Sequence, residues 1–257
     1  MDPAEHTPAY GLRGAVQFLT RIPAPMPTAG RLDAAVAWFP TVGALIGTIT
    51  AAVVLAASQV LAMSVAAALA VLVGVLITGA FHEDGLADIA DAFAGGWSVE
   101  ERLRILNDPR HGTYGVAALS GSLIIRILAV AALVPAVAAA GLIAAHTLAR
   151  TIAVASMKSG RLARPDGLGA GYVSSVSTHR TLIAVISGLA ITTAVIGWWV
   201  IPVTVVAGVA AAVVIVLARR RIGGLSGDVL GAIEQIAEIA VLVTVVGLAG
   251  HHELWWR

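Results

Sequence analysis

Long apolar stretches alternate with short polar segments along most of this chain. Apart from two isolated arginines and two isolated glutamates, the stretches 34–81, 116–157, 181–218 and 229–250 contain no charged residue. A helix needs about 20 apolar residues to cross a bilayer, so the first three stretches can each hold two spans and the last can hold one. The pattern therefore predicts an all-α fold, a polytopic integral membrane helical bundle of about seven transmembrane helices. The predicted spans are 40–58, 62–81, two within 116–157 that turn near Pro135, two within 181–218 that turn at Trp198, Trp199 and Pro202, and 229–250.

The composition also favours a membrane protein. Hydrophobic residues make up 58% of the chain, charged residues make up 12%, and the mean hydropathy is +0.91, which excludes an ordinary soluble domain. The absence of cysteine excludes disulfides, thiolate metal sites and cysteine nucleophiles. The first 33 residues lack the apolar run of a cleavable signal peptide. We expect a single membrane-embedded catalytic domain over 1–257, in contact with lipid.

Charge is concentrated in alternate connections between the predicted spans. The connections near 59, 136 and 200 are short and uncharged. By the positive-inside rule the arginine-rich connections lie in the cytoplasm, and the arginines of segment 1–33 place the N-terminus there too. The basic residues thus indicate topology, and we expect no nucleic-acid partner. The cytoplasmic loops expected to form the functional site are 82–114, 158–180 and 219–228.

The first charges after the uncharged stretch 34–81 form an acidic cluster. Asp84, Asp88 and Asp91 lie in FHEDGLADIADAFAGG. In a helix the spacing i, i+4, i+7 places these side chains within about 40° of one another on one face. Hard carboxylate oxygens favour Mg²⁺ or Mn²⁺, and proteins usually hold Mg²⁺ with a few carboxylates together with substrate phosphates. The cluster therefore predicts a metal site for a substrate that carries a pyrophosphate.

Two neighbours of the cluster have less certain roles. Glu83 lies about 100° round the helix from Asp84, where it either binds a second ion or faces water. A single histidine at a membrane interface, such as His82, is more typical of packing or hydrogen bonding than of metal ligation.

Two further polar segments are candidates for parts of the same site. In NDPRHGTYG, which begins at Asn107, Arg110 and the glycine N–H groups suit phosphate oxygens, although an ordinary turn explains the pattern as well. In RLARPDGLGAGY, Arg164 and Asp166 either clamp an anion or pair with each other.

The segment GGLSGDVLGAIEQIAE combines a helix start with acids inside a predicted span. Asp228 suits the N-terminal cap of that helix. Capping does not explain Glu234 and Glu238, which share a face at i, i+4 within the membrane. Arg126 and Arg150 are the candidate counter-charges. A structural ion-pair network and a catalytic role are both open for these four residues.

Taken in order along the chain, the motifs resemble a known enzyme family. FLTRIPAP, FPTVGALIG, FHEDGLADIADAFAGG, DPRHGTYG, ARPDGLGAGY and GGLSGDVLGAIEQIAE are similar to segments of the cobalamin synthases, the adenosylcobinamide-GDP ribazoletransferases of the bacterial inner membrane. The resemblance runs through nearly the whole chain. Glu83, Phe93 and Ser226 depart mildly from the family pattern, and none of these departures removes a carboxylate of the cluster.

The resemblance implies a reaction and a location. α-Ribazole, or its 5′-phosphate, would join adenosylcobinamide-GDP to give adenosylcobalamin, or its 5′-phosphate, and GMP, with a Mg²⁺ requirement for which Mn²⁺ is an alternative. It implies a multi-pass protein of the inner membrane whose site faces the cytoplasm. The oligomeric state has no signal in the sequence.

The resemblance and the residue chemistry together imply roles for individual side chains. The expected metal ligands are Asp84, Asp88, Asp91 and Asp228, with Glu83 as a further candidate. The general base would be Asp91, Asp228 or His111. The expected substrate-binding residues are Asn107, Arg110, Gly112, Arg164, Asp166 and Glu234.

Other classes of membrane protein fit the sequence less well. A CDP-alcohol phosphotransferase also uses clustered aspartates, but its signature requires Ala-Arg two residues after Asp-Gly, whereas Leu-Ala-Asp follows Asp84-Gly85. A polyprenyl transferase needs a second Asp-rich loop, for which only Asp228 and two glutamates are available. An ion-coupled transporter would use the charges inside the spans, but it leaves the acidic cluster unexplained, and no internal repeat is apparent.

Overall fold

The structure, a computed structural model, describes residues 8–24, 32–159, 161–163 and 176–256. Within these ranges the regular structure is helical, and the one extended pairing is an isolated bridge between Leu162 and Leu225. The predicted all-α class is therefore confirmed. The helices are α1 (Pro8–Leu19), α2 (Leu32–Val36), α3 (Phe39–Ala57), α4 (Met63–Thr78), α5 (Phe81–Gly95), α6 (Val99–Ile105), α7 (Thr113–Ala131), α8 (Pro135–Ser156), α9 (Thr178–Ile196), α10 (Val200–Ile222) and α11 (Gly227–Ala249), with a 3-10 turn at Gly197–Trp199.

Five segments of the described chain are long and apolar enough to cross a membrane, or up to six if the bent pair α4 and α5 forms one span. The sequence predicted about seven. The 45-residue stretch Thr178–Ile222 is one of these five segments, although it contains two helices, α9 and α10. The sequence predicted two spans there. Both ends of the stretch lie near the end of α8, because Lys158 bonds the Val176 carbonyl before α9 and Leu162 pairs with Leu225 after α10. The stretch thus reverses at its central turn, and its two helices, of 19 and 23 residues, correspond to the two spans predicted there.

A sharp elbow joins α4 to α5. The two helix axes differ by 90°. Gly79 and Ala80 both have positive φ, 66° and 58°, which ends α4 in a left-handed turn and redirects the chain. A side chain at position 79 would collide with Arg21, whose backbone N–H donates to the Ile77 carbonyl at 2.7 Å. The acidic helix α5 therefore turns away from the direction of α4.

Helix α8 forms the centre of the bundle. Its apolar window is 89% buried, more than that of the other candidate spans in the described chain, and it packs against α3, α9 and α11. Gly43 and Gly47 of α3 allow the closest of these contacts, because a Cβ at either position would overlap backbone atoms of α8. Small residues let membrane helices approach closely enough for dispersion contacts to hold them together. Helix α11 in turn packs against α5 and α7, and so connects the acidic helix to the bundle centre.

The charged connections meet at one end of the bundle. Arg102 Nη1 of α6 donates to the Arg221 carbonyl at the end of α10, and Arg221 Nη1 donates to the Phe93 carbonyl in α5. The loops after α8 and α10 meet at the same end through the bridge between Leu162 and Leu225. The connections 58–62, 132–134 and 197–199 carry no charge. The charge distribution predicted from the sequence thus corresponds to one charged end of the molecule.

Candidate active site

Helix α5 presents two chemically different faces. The side chains of Asp84 and Asp88 are 63% and 15% exposed, whereas Glu83 and Asp91 are buried. Asp84 and Asp88 lie one helical turn apart, so they point in nearly the same direction. The sequence predicted a face of three aspartates, and in the structure two of these face outward while Asp91 turns towards α7.

Asp228 approaches the two outward aspartates from a second helix. Helix α5 crosses α11 at Gly85 and Gly231, where a Cβ added to Gly85 would lie 2.8 Å from the Asp228 carbonyl oxygen and 3.3 Å from the Gly231 Cα. Glycine at this crossing lets the two backbones approach this closely. As a result, carboxylates from two helices gather at the charged end of the bundle.

The gathered carboxylates disfavour one another's negative charge. Burial, followed by the charges of Asp84 and Asp228, raises the pKa of Asp88 to about 6, and nearby His111 offsets a part of this effect. These groups lie at the charged end of the bundle, where α5 bends away from α4 and contacts the end of α10. A cluster of carboxylates with uncompensated charge is one that a divalent cation stabilises.

His111 lies beside both outward aspartates. Its Nε2 is 3.4 Å from Asp84 Oδ1, and its Nδ1 is 3.4 Å from Asp88 Oδ1. The three side chains offer ligand atoms within 4.8 Å of one another, which is close enough to share one metal ion. Sequence reasoning considered His111 as a base and overlooked it as a ligand, because it lies 23 residues from Asp88 in the chain and no spacing rule connects the two.

Asp91 caps the N-terminus of α7. Its Oδ2 accepts the Gly112 N–H at 2.6 Å, and its Oδ1 accepts the Gly115 N–H at 2.8 Å. The first N–H groups of a helix lack intrahelical partners and attract negative charge. Both glycines lie so close to the carboxylate that a Cβ at either position would overlap it. In the structure Asp91 and Gly112 thus take part in a helix cap. The metal and base roles of Asp91 and the phosphate-binding role of Gly112 stay predictions.

Arg110 points into solvent and pairs within its own loop. Its side chain is 85% exposed, and its Nε and Nη2 donate to the two carboxylate oxygens of Asp108 at 2.9 and 2.8 Å. The hydrogen bonds from Arg110 lower the pKa of Asp108 to about 2, and Asp108 raises the pKa of Arg110. Asn107 is exposed in the same loop. The phosphate-binding roles of Asn107 and Arg110 stay predictions.

The inward face of α5 enters a buried ion-pair network. Glu83 Oε1 accepts hydrogen bonds from Arg126 Nη2 at 3.0 Å and from Gln235 Nε2 at 3.3 Å. Arg126 Nη1 donates to Glu238 Oε1 at 2.9 Å. These four side chains are at most 3% exposed. Glu83 therefore does not face water, because it points away from the outward aspartates and a guanidinium compensates its charge. Its role as a metal ligand stays a prediction.

Glu234 belongs to the same buried network. It is fully buried, lies 2.5 Å from Arg150 Nη1 and accepts a hydrogen bond from Gln235 Nε2 at 3.0 Å. His146 Nδ1 lies 3.0 Å from Glu238 Oε2. Glu234 is thus buried and paired, and its expected substrate-binding role stays a prediction. Of the two alternatives left by the sequence, the geometry favours the structural ion-pair network.

A serine caps the start of α11. Ser226, rather than Asp228, caps α11, since its Oγ accepts the Val229 N–H at 3.2 Å. Asp228 follows in the first turn, with one carboxylate oxygen 3.3 Å from Ser226 Oγ, so the helix start does not depend on an Asp228 cap. Arg164 and Asp166 lie outside the described residues.

These features are those of a helical membrane protein with an acidic site. The chain forms a helical bundle with several apolar helices of membrane-spanning length and an acidic site at its charged end. The chain belongs to the cobalamin-5-phosphate synthase family, whose sequence model matches residues 11–246. The resemblance found in the motifs is thus confirmed.

Curated relatives match the chain over almost its whole length. The adenosylcobinamide-GDP ribazoletransferase of Shewanella frigidimarina is 36% identical over 245 residues, which cover 91% of this chain and 94% of that protein. The protein of the same name from Shewanella baltica (strain OS155) is 38% identical, with 91% and 93% covered. A third, from Chlorobaculum tepidum, is 36% identical over 251 residues, with 96% and 98% covered. No solved structure matches the chain significantly.

Proposed function

We propose that this protein is an adenosylcobinamide-GDP ribazoletransferase. It joins α-ribazole, or its 5′-phosphate, to adenosylcobinamide-GDP, releases GMP and gives adenosylcobalamin or its 5′-phosphate. The names of the relatives support this activity. The structural observation that carries it is the group formed by Asp84, Asp88 and His111, with Asp228 beside it. Transfer from a diphosphate requires phosphate oxygens to be aligned and neutralised, which carboxylate-bound cations accomplish.

Mg²⁺ is the proposed cofactor, and Mn²⁺ would replace it. The donor set fits these ions, because it offers hard carboxylate oxygens from two helices, and burial together with the charges of Asp84 and Asp228 raises the pKa of Asp88. Asp84, Asp88 and Asp228 would hold the ion together with oxygens of the substrate. When bound, the ion would neutralise charge on the diphosphate.

The proposed transfer forms one bond to phosphorus and breaks another. The ribazole hydroxyl oxygen attacks the phosphorus next to the corrinoid, the anhydride bond breaks, and GMP leaves with the bridging oxygen. We assign the hydroxyl proton to His111, because imidazole is a common general base and the two carboxylates 3.4 Å from its ring nitrogens would orient the ring at the site. Asp91 suits this role less well, since both of its oxygens accept backbone N–H groups.

A reconstitution assay tests the proposed reaction. The purified protein, in lipid nanodiscs, would receive adenosylcobinamide-GDP, α-ribazole and Mg²⁺, and chromatography would quantify GMP and cobalamin. We expect equal amounts of both products and none in excess EDTA. A parallel reaction with a CDP-activated alcohol tests the nearest rival class. Absence of GMP and cobalamin, or turnover of the CDP donor instead, would overturn the proposal.

The role of His111 has its own test. His111→Gln removes the proposed base, so we expect kcat to fall by about 10²–10⁴-fold. His179→Gln is the matched control, because His179 is an exposed histidine at the start of α9. Equal activity of the two variants would exclude His111 as the base.

The proposed location is the bacterial inner membrane, with the charged end facing the cytoplasm. The concentration of arginines at that end supports this orientation. Because the chain has no cysteine, a single introduced cysteine reports the side on which a residue lies. In intact cells from which the outer membrane has been removed, an impermeant maleimide should label Gln59→Cys and should not label Asn107→Cys. The reverse pattern would contradict the orientation.

A further inference from the structure

We propose that Arg126 is a positioning residue for the acidic site, and that its guanidinium holds α5 against α11 in the alignment that brings Asp84 and Asp88 beside Asp228. This inference rests on the metal-dependent transfer proposed above. It concerns a residue that contacts neither metal nor substrate and acts through Glu83 and Glu238.

The contacts of Arg126 join the two helices that carry the candidate ligands. From its place in α7, Nη2 donates to Glu83 Oε1 in α5 at 3.0 Å, and Nη1 donates to Glu238 Oε1 in α11 at 2.9 Å. Glu83 directly precedes Asp84, so this contact fixes the first turn of the acidic helix. A planar guanidinium has donors in a fixed arrangement and can bond two carboxylates at once, which the single ammonium group of lysine does less well.

A second contact between α7 and α5 restricts how α5 can move. Helix α7 also binds α5 at Asp91, which accepts the N–H groups of Gly112 and Gly115. The outward aspartates lie between Glu83 and Asp91, the two fixed points of the helix. A helix held at two points cannot slide or rotate without breaking one of the contacts. Either movement would displace the outward aspartates from His111, which immediately precedes Gly112 in the chain.

Gln235 connects the same three helices beside Arg126. Its Oε1 accepts a hydrogen bond from Ser122 of α7 at 3.2 Å, and its Nε2 donates to Glu83 of α5 at 3.3 Å. The network thus contains two bridges between α5, α7 and α11. In the bridge through Arg126 the donor and both acceptors are ionised, whereas in the bridge through Gln235 only the Glu83 carboxylate is, so the arginine is expected to dominate.

Arg150 provides an internal comparison for Arg126. It is a second arginine of the network, and both arginines are 2% exposed. It contacts His146, Glu234 and Glu238, and so joins α8 to α11. If buried arginines only neutralise buried acids, substitution of either should have the same consequences. If Arg126 positions α5, its substitution should affect metal binding selectively.

Direct binding of Mn²⁺, followed by electron paramagnetic resonance, separates these outcomes. The proteins compared in nanodiscs are the wild type, Arg126→Lys, Arg150→Lys and Asp84→Asn. We expect Arg126→Lys to weaken Mn²⁺ binding by about 10–100-fold, the usual effect of losing a residue that orients a metal ligand. Arg150→Lys should change it by less than about threefold, because its contacts with His146, Glu234 and Glu238 lie in α8 and α11 and not in α5, although both variants should lower the thermal midpoint. Unchanged affinity in Arg126→Lys, or equal losses in both arginine variants, would overturn the inference.

The same experiment distinguishes failure of this inference from failure of the proposed function. If Asp84→Asn leaves Mn²⁺ affinity unchanged, the proposed metal site is wrong. If Asp84→Asn weakens binding and Arg126→Lys does not, only the positioning role is wrong. If Arg126→Lys fails to fold, Glu83→Gln interrupts the same contact with little change in shape. We expect Glu83→Gln to weaken Mn²⁺ binding similarly, and unchanged Mn²⁺ affinity in this variant would also overturn the inference.

A kinetic measurement gives an independent readout of positioning. In a titration of GMP release with Mg²⁺, Arg126→Lys should raise the Mg²⁺ concentration for half-maximal rate by about 10-fold or more while recovering most of kcat at saturating Mg²⁺. A loss of kcat without a change in the Mg²⁺ requirement would contradict a positioning role that acts through the metal ligands.

Discussion

The crossing of α5 and α11 makes Gly85→Ala a direct test of how the site is built. A Cβ at position 85 would lie 2.8 Å from the Asp228 carbonyl oxygen, 3.1 Å from the Asp228 Cα and 3.3 Å from the Gly231 Cα. Non-bonded carbon contacts are comfortable at about 3.5 Å or more, so the two helices must separate by roughly 0.5 Å. The opposing atoms are backbone atoms, which cannot rotate out of the way as a side chain would.

This separation should affect the alignment of ligands more than the stability of the fold. Overpacking costs about 1–3 kcal/mol, and the better helix propensity of alanine offsets up to about 1 kcal/mol of this. Metal sites tolerate deviations of only about 0.2 Å in ligand distance. Because a misplacement of 1 Å lowers a rate by about 100-fold, we expect Gly85→Ala to fold and to lose roughly 10–100-fold in kcat/KM.

The assay is the initial rate of GMP release in nanodiscs, together with the thermal midpoint of each protein. Gly247→Ala is the matched control, because Gly247 lies in α11, the helix that Gly85 approaches, and no atom of the described residues lies within 4 Å of the added Cβ. We expect the control to keep wild-type activity. If Gly85→Ala is as active as the control, close contact between α5 and α11 does not position the site, and the reasoning is refuted.

Two further predictions concern Asp91 and pH. Asp91→Asn keeps the shape of the α7 cap and removes its charge. We therefore expect a loss of roughly 1 kcal/mol in stability, measured as a lower thermal midpoint, and a smaller loss of activity than in Asp88→Asn. An inactive variant of unchanged stability would instead support a metal or base role for Asp91. Because the pKa of Asp88 is raised to about 6 and metal binding requires the carboxylate, Mn²⁺ affinity should fall as the pH falls through about 6, and a flat profile between about pH 5 and 7.5 would contradict this. The sign for stability is opposite: the raised pKa means that Asp88 destabilises the metal-free fold when ionised, so melts in EDTA should show its contribution becoming more favourable as the pH falls through about 6.

Much of the helical pattern could be predicted from the sequence, since membrane spans must be long and apolar. The direction of α5 could not, because it depends on the elbow at Gly79 and Ala80. The Gly-Ala pairs at 43–44 and 231–232 lie inside helices, whereas the pair at 79–80 has positive φ and packs against Arg21. The sequence predicts a cytoplasmic loop over 82–114. In the structure this segment contains the two helices α5 and α6.

The candidate site was also only partly predictable from the sequence. Helical spacing predicted that Asp84 and Asp88 share a face, and the structure confirms this. Spacing cannot tell which neighbouring helix each face meets, so Glu83 and Asp91 received roles at the metal although α7 binds both. The pairing of Arg126 with Glu83 was also missed, because the sequence linked this arginine only with the acids of α11.

The central claim is that the outward aspartates of α5 form the metal site of a ribazoletransferase. The measurement that tests it most directly is Mg²⁺-dependent GMP release from adenosylcobinamide-GDP and α-ribazole by Asp84→Asn/Asp88→Asn. Glu100→Gln is the control, since Glu100 is an exposed acid of α6 at the same charged end. The account predicts that the double variant loses more than about 100-fold in rate while remaining folded, and that the control stays within about threefold of the wild type. Undiminished GMP release by the double variant would contradict the account.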